Sequence, residues 1–163
     1  IRGVVKFPPG DEPISPDAEL LLMNASRAQL VQQAIRPALA KDAVVLCDRF
    51  YDSSLAYQGY GRGLDLAKVR QAIDLAVGET KPNLTLLLDI PLAVSQARVG
   101  GRQQSTGEGQ DQFDQAGDAF FERVHAGFHV LAKGEPERYR VIDGTQSPEA
   151  VAEAVWDCVE PLL

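Results

Sequence analysis

Three short apolar runs, at Ala43–Cys47 (AVVLC), Leu84–Asp89 (LTLLLD) and Arg140–Ile142, alternate with helix-length stretches. This alternation is the strongest constraint on the fold. Strands separated by helical segments make a parallel sheet, because a parallel connection must cross over the sheet face. We therefore expect an α/β fold: a three-layer arrangement of a parallel sheet with helices on both faces, in a single domain over residues 1–163. Three strands are few for such a sheet, and IRGVVKF reads as the last turns of a helix. Both features lead us to expect that a piece of the domain precedes Ile1.

Helix punctuation fills in the rest. Ser15 is a good N-cap, Pro16 suits the first helical position, and Asp17 and Glu19 favour the positive end of the helix dipole. A long helix should run from Pro16 toward Ala40, with a kink at Pro37. Asp65 caps a helix from Leu66 to Val77, which Gly78 closes. Pro91 starts a helix to about Val99. Residues 99–112 are polar and glycine-rich and read as a flexible segment. A helix over Phe113–Lys133 ends at Gly134, and Ser147-Pro148 opens the last helix.

The chemistry concentrates directly after the first strand, in DRFYDSSLAYQGYGRG (Asp48–Gly63). In open parallel sheets, ligands bind just beyond the carboxyl ends of the strands. Taken alone, Asp48-Arg49 fits a strand-end salt bridge equally well. The net charge of -7 speaks against a nucleic-acid polymer as partner. Eleven of the 16 basic residues are Arg, the side chain suited to bidentate phosphate contacts. Cys47 and Cys158 lack zinc-site spacing and read as two reduced thiols of a cytosolic protein. No apolar stretch approaches membrane-spanning length. Gly59-x-Gly61-x-Gly63 has the wrong spacing for a dinucleotide fingerprint. His125 and His129 lack the Glu of a metalloprotease helix and read as exposed surface residues, and Asp89 is assigned no chemistry.

DRFYDSSLAYQGYGRGL resembles the DR(Y/F/H)-x-x-S-x-x-A-Y-Q-G-x-G-R-G signature of bacterial thymidylate kinases. DEPISPDAELLLMNASRAQLV, LLLDIPLAVSQAR and VIDGTQSPEAV agree with that family in the same order. The resemblance implies a P-loop nucleoside monophosphate kinase fold, usually a cytoplasmic homodimer, that passes the γ-phosphoryl group of ATP to dTMP with Mg2+. It implies that Arg27 and Arg49 hold the acceptor phosphate. Asp48 acts through the magnesium and water network. Tyr57 lies against the deoxyribose and disfavours a 2′-hydroxyl, and Ser54 and Gln58 sit near the base or sugar. Tyr51 and Tyr60 read as core packing. Residues 99–112 become the lid over ATP, with Arg98 and Arg102 as its cations, and Asp143, Gly144, Thr145 and Gln146 lie beside the adenine.

The sequence departs from the family pattern in three places. No G-x-x-x-x-G-K-[ST] occurs in the 163 residues, and we expect it before Ile1. Met23 stands where the family usually has a Phe stacked on thymine, and Met is a less rigid platform. DQFD at Asp111–Asp114 replaces the usual D-R-F-E, which shifts lid charge onto Arg98 or Arg102. Two alternatives stand beside the leading one. They are a related kinase with another acceptor, such as dUMP or a deoxynucleoside, and a non-catalytic fragment that binds a nucleotide or a partner.

Overall fold

The computed structural model describes residues 2–6, 13–106, 113 and 116–163, and side chains outside 2, 6 and 102–106 of these. Two compact units divide the chain: residues 1–81 with 110–127, and residues 82–109 with 128–163.

The first unit is helical. After α1 (Arg2–Lys6), α2 (Pro16–Leu30) begins as its sequence demands, with the Ser15 hydroxyl accepting from the Ala18 N–H. The helix then widens into a π-helical turn over Val31–Ile35 before α3 (Arg36–Leu39). Pro37 accounts for this widening: it has no N–H to donate, and its ring crowds the carbonyl four residues back. Wide turns inside helices are the usual way to absorb such a defect. The short α4 (Asp52–Ser54) runs into a second π-helical segment, Leu55–Gly61. α5 (Leu66–Val77) is capped by Asp65, which accepts from Ala67 N–H at 2.8 Å, and ends at Gly78 with φ 55°. α2 packs on α5, Leu20, Val31, Val69 and Val77 are buried, and so is Val124 of α7 (Asp118–Gly134), which lies against Gly61.

The run Ala43–Cys47, expected as a buried strand, is irregular and exposed except for the half-buried Val45. Val44 is 66% exposed, Leu46 88%, and Cys47 lies on the surface. An apolar run becomes a strand only where a neighbour completes its hydrogen bonds, and among the described residues no strand lies beside it.

The second unit carries the sheet. β1 (Thr85–Asp89) and β2 (Tyr139–Asp143) pair in parallel, from Thr85 opposite Tyr139 to Asp89 opposite Asp143. Two strands are therefore described, where three were expected. Tyr139 and Ile142 are buried, and α8 (Pro148–Val159), capped by the Ser147 hydroxyl, packs on β2. α6 (Leu92–Thr106) runs through Gly100 and Gly101, so the glycine-rich segment expected to be flexible is helical to Thr106. Each glycine costs a helix about 1 kcal/mol, which the Gln and Arg neighbours do not forbid. The remainder of that segment, 107–112, and the Arg102 side chain lie outside the described residues.

Candidate active site

Two groups of side chains gather the residues singled out in the sequence, one in each unit.

In the first unit the centre is Arg27, in the last turn of α2 and only 9% exposed. Its Nη1 donates to Asn24 Oδ1 at 2.7 Å and to Ser54 Oγ at 3.2 Å, and its Nη2 donates to the Phe50 carbonyl at 3.0 Å. Asn24 is itself fixed, donating to the Leu20 carbonyl at 2.9 Å. These bonds staple α2 to the segment Phe50–Ser54. Burial pushes the Arg27 guanidinium down to about 10, against the opposing pull of Cys47 and Asp52. It therefore stays charged at neutral pH and is held short of full solvation, a state that a phosphate dianion relieves.

Arg49 is exposed and sits at φ 60°, a left-handed conformation that costs a non-glycine residue about 1 kcal/mol or more. That turn brings its Nη1 to the Tyr57 hydroxyl at 2.9 Å, with the guanidinium carbon 5.3 Å from the Tyr57 ring centroid. The preceding Asp48 is exposed. Tyr57 is set in turn by two edge-on rings, Phe113 at 5.6 Å and Phe120 at 5.9 Å.

Ser54 and Gln58 are turned inward, 1% and 2% exposed. Ser54 faces Arg27, while Gln58 Nε2 donates to Glu19 Oε1 at 2.7 Å. Met23 is half-buried on α2, four residues before Arg27. Tyr51 is core, as expected, and Tyr60 packs where a Cβ on Gly127 would meet its ring at 2.7 Å. Gly61 is required by contact rather than by backbone angle: a Cβ there would lie 2.6 Å from Phe120. Its carbonyl accepts twice from Arg123, at 2.8 and 3.1 Å.

In the second unit the loop after β2 folds back onto β1. Gly144 N–H donates to the Asp89 carbonyl at 2.8 Å, and a Cβ at this position would meet Ile90 at 2.9 Å. Arg98 of α6 donates to the Gly144 carbonyl at 3.0 Å. The exposed Asp143 carboxylate accepts from the Thr145 hydroxyl at 2.6 Å, from the Thr145 N–H at 2.9 Å and from Gln146 at 3.5 Å. The Thr145 hydroxyl, then its N–H, hold the Asp143 carboxyl below its ordinary range. The structure thus brings Arg98, Asp143, Gly144, Thr145 and Gln146 into one loop cluster. His129, expected on the open surface, is half-buried with its Nε2 3.2 Å from Asp89 Oδ1. The sequence could not show this, because Asp89 reaches it from a strand 40 positions away.

The thymidylate kinase family model matches residues 1–155. The chain belongs to the thymidylate kinase family. It is 50% identical to a thymidylate kinase of Synechococcus over 152 residues, which cover 93% of this chain and 70% of that protein. It is 45% identical to a thymidylate kinase of Pseudomonas fluorescens over 159 residues, or 98% of this chain and 73% of that protein. Among solved structures it resembles thymidylate kinase from Ehrlichia chaffeensis, with a TM-score of 0.68 and 30% identity. That match covers 90% of this chain and 66% of the other. Within this family member, sequence reasoning missed four residues that organise the first cluster: Glu19, Asn24, Arg62 and Arg123. Asn24 left a signal, three residues before Arg27 on the same helical face, and Arg62 left another as the arginine of the motif's closing Gly-Arg-Gly.

Proposed function

We infer that this chain is a phosphotransferase that moves the γ-phosphoryl group of ATP to dTMP, giving dTDP and ADP. Family membership supports the reaction, and one observation carries the acceptor site. A buried, charged arginine, Arg27, is locked onto the segment that follows Arg49. Phosphoryl transfer asks mainly for positioning and charge neutralisation. Arg27 and Arg49 supply both at the acceptor phosphate. Tyr57, held by Arg49 and two phenylalanines, presents its ring to the deoxyribose and disfavours a 2′-hydroxyl. Met23 lies under the base. Ser54 and Gln58 act from behind, fixing Arg27 and the π-helical segment.

On the donor side, Arg98 and the loop Asp143–Gln146 take ATP, the loop offering backbone groups to the adenine. Arg98 braces that loop through the Gly144 carbonyl, and Arg102 joins it as a second cation of the lid over residues 99–112. Asp48 is a hard oxygen donor with an exposed carboxylate, which suits Mg2+ held through water. Mg2+ bound with ATP neutralises charge on the transferring group. We place the protein in the three-layer, P-loop nucleoside monophosphate kinase class, as a cytoplasmic enzyme. Cys47 and Cys158 form no disulfide among the described residues, and no described helix is long and apolar enough to cross a membrane. We also propose a homodimer, supported by Leu21 and Leu75, which are 62% and 91% exposed on the packed pair α2 and α5.

The test is an ADP-release assay on the purified protein with ATP, Mg2+ and a panel of dTMP, dUMP, dCMP, dGMP and UMP. Turnover on dTMP well above the others is expected. Preference for another acceptor overturns the substrate, and ATP-dependent turnover on none overturns the reaction.

A further inference from the structure

We propose that Glu19 is a positioning residue of the acceptor site, which sets the Tyr57 ring through Arg62 and a pair of phenylalanines. The proposal rests on the reading of Tyr57 as the surface that meets the sugar.

Glu19 is 0% exposed in the first turn of α2, and a fully buried carboxylate is unusual. Its Oε1 accepts from Gln58 at 2.7 Å, and its Oε2 accepts from Arg62 Nη2 at 2.9 Å. Arg62 Nε adds a longer contact of 3.4 Å. Gln58 and Arg62 stand within and just after the π-helical segment Leu55–Gly61, so one carboxylate holds both ends of the motif's second half. A carboxylate only accepts, so the Gln58 NH2 must face Glu19 and the amide has one permitted orientation.

The Arg62 guanidinium, aimed by that ion pair, lies 4.8 Å from the Phe120 ring centroid and 5.8 Å from Phe113. These are the same two rings that meet Tyr57 edge-on, at 71° and 86°. The chain of contact therefore runs from Glu19 to Arg62, to the two phenylalanines, to Tyr57, and on to Arg49 through the tyrosine hydroxyl. Stability alone does not explain it. A buried ion pair is often no better than an apolar pair of the same shape, and what it adds is a fixed geometry. Arg62 needs that geometry, because a cation stabilises a ring only over its face.

The experiment compares binding of dTMP and of ribothymidine 5′-monophosphate by calorimetry, for the wild type, Glu19→Gln and Arg62→Lys. Glu19→Gln keeps the shape and removes the charge that aims Arg62. Arg62→Lys keeps the charge but loses the planar stack, and it guards against a failure of Glu19→Gln to fold. Melting temperatures are recorded alongside. We expect the preference for the deoxyribonucleotide to fall roughly fivefold in both variants, the scale of one cation–π contact. Glu19→Asp, which keeps the charge, should recover part of it. If both variants melt earlier but bind the two nucleotides in the wild-type ratio, Glu19 only supports the fold and the proposal fails. If the wild type itself does not prefer dTMP over the ribonucleotide, the reading of Tyr57 fails first.

Discussion

Replacing Arg27 by Met separates two roles that a buried arginine can play. The side chain is 9% exposed, and its fall to about 10 corresponds to about 3 kcal/mol held against the charged form. Met fills a similar volume and removes that burden. It also forfeits the bonds to Asn24, Ser54 and the Phe50 carbonyl, each worth about 1 kcal/mol net. The two effects nearly cancel, so we expect thermal stability without ligand to change by no more than about 1–2 kcal/mol. Binding of dTMP should behave differently. A charged hydrogen bond to the phosphate is worth about 1.5–3 kcal/mol, so the affinity should drop on the order of a hundredfold. Calorimetric titration with dTMP, beside thermal melts with and without it, reads both quantities. The pH dependence has a definite sign. Arg27 is depressed in the fold, so the unfolded chain holds more protons above about pH 10, and wild-type stability gains from this group only as pH rises through that point. Unchanged dTMP affinity in Arg27→Met would refute the argument, because the buried cation stapled to the motif would then not face the phosphate.

Three further perturbations test other links. Met23→Phe should tighten dTMP binding by a few fold, on the scale of about 0.5–1 kcal/mol for an added aromatic contact; calorimetry giving an unchanged constant would place the base elsewhere. Gly61→Ala forces a Cβ to within 2.6 Å of Phe120 and 2.7 Å of Val124, and should cost about 1–3 kcal/mol in denaturant melts. A melt indistinguishable from wild type would mean that α7 does not close on this glycine. Asp143→Asn removes a carboxyl held below its ordinary range by Thr145. Its contribution to stability is present above about pH 4 and lost as pH falls further, so the variant's acid limb should be flatter than the wild type's in urea melts across that range.

What the sequence made legible was local. Ser15, Asp65 and Ser147 cap the helices they were expected to cap, because a cap satisfies N–H groups only two or three residues away. Pro37 disturbs its helix as its missing N–H requires, though by widening the turn before it. The run AVVLC failed as a strand because strand formation depends on a neighbour, and apolar character reports burial preference without naming a partner. At the candidate site, Arg27, Arg49 and Tyr57 were named from the resemblance, and the structure sets Arg27 against Ser54 and Arg49 against Tyr57. The carboxylate behind them was not legible. Glu19 meets Gln58 across 39 positions and Arg62 across 43, and in the sequence it reads as one more acid favouring a helix start.

The π-helical segment Leu55–Gly61 carries a consequence of a different kind. A π turn holds one more residue than the α turn it replaces. Deleting a single residue there would let the segment wind as an ordinary α-helix and swing Arg62 by about 100° relative to Tyr57. Every side chain of the signature outside the deletion would survive, yet Arg62 would no longer point at Glu19. The orientation of the site is thus written in chain length as well as in residue type. In this stretch a one-codon gap is a heavier change than most substitutions.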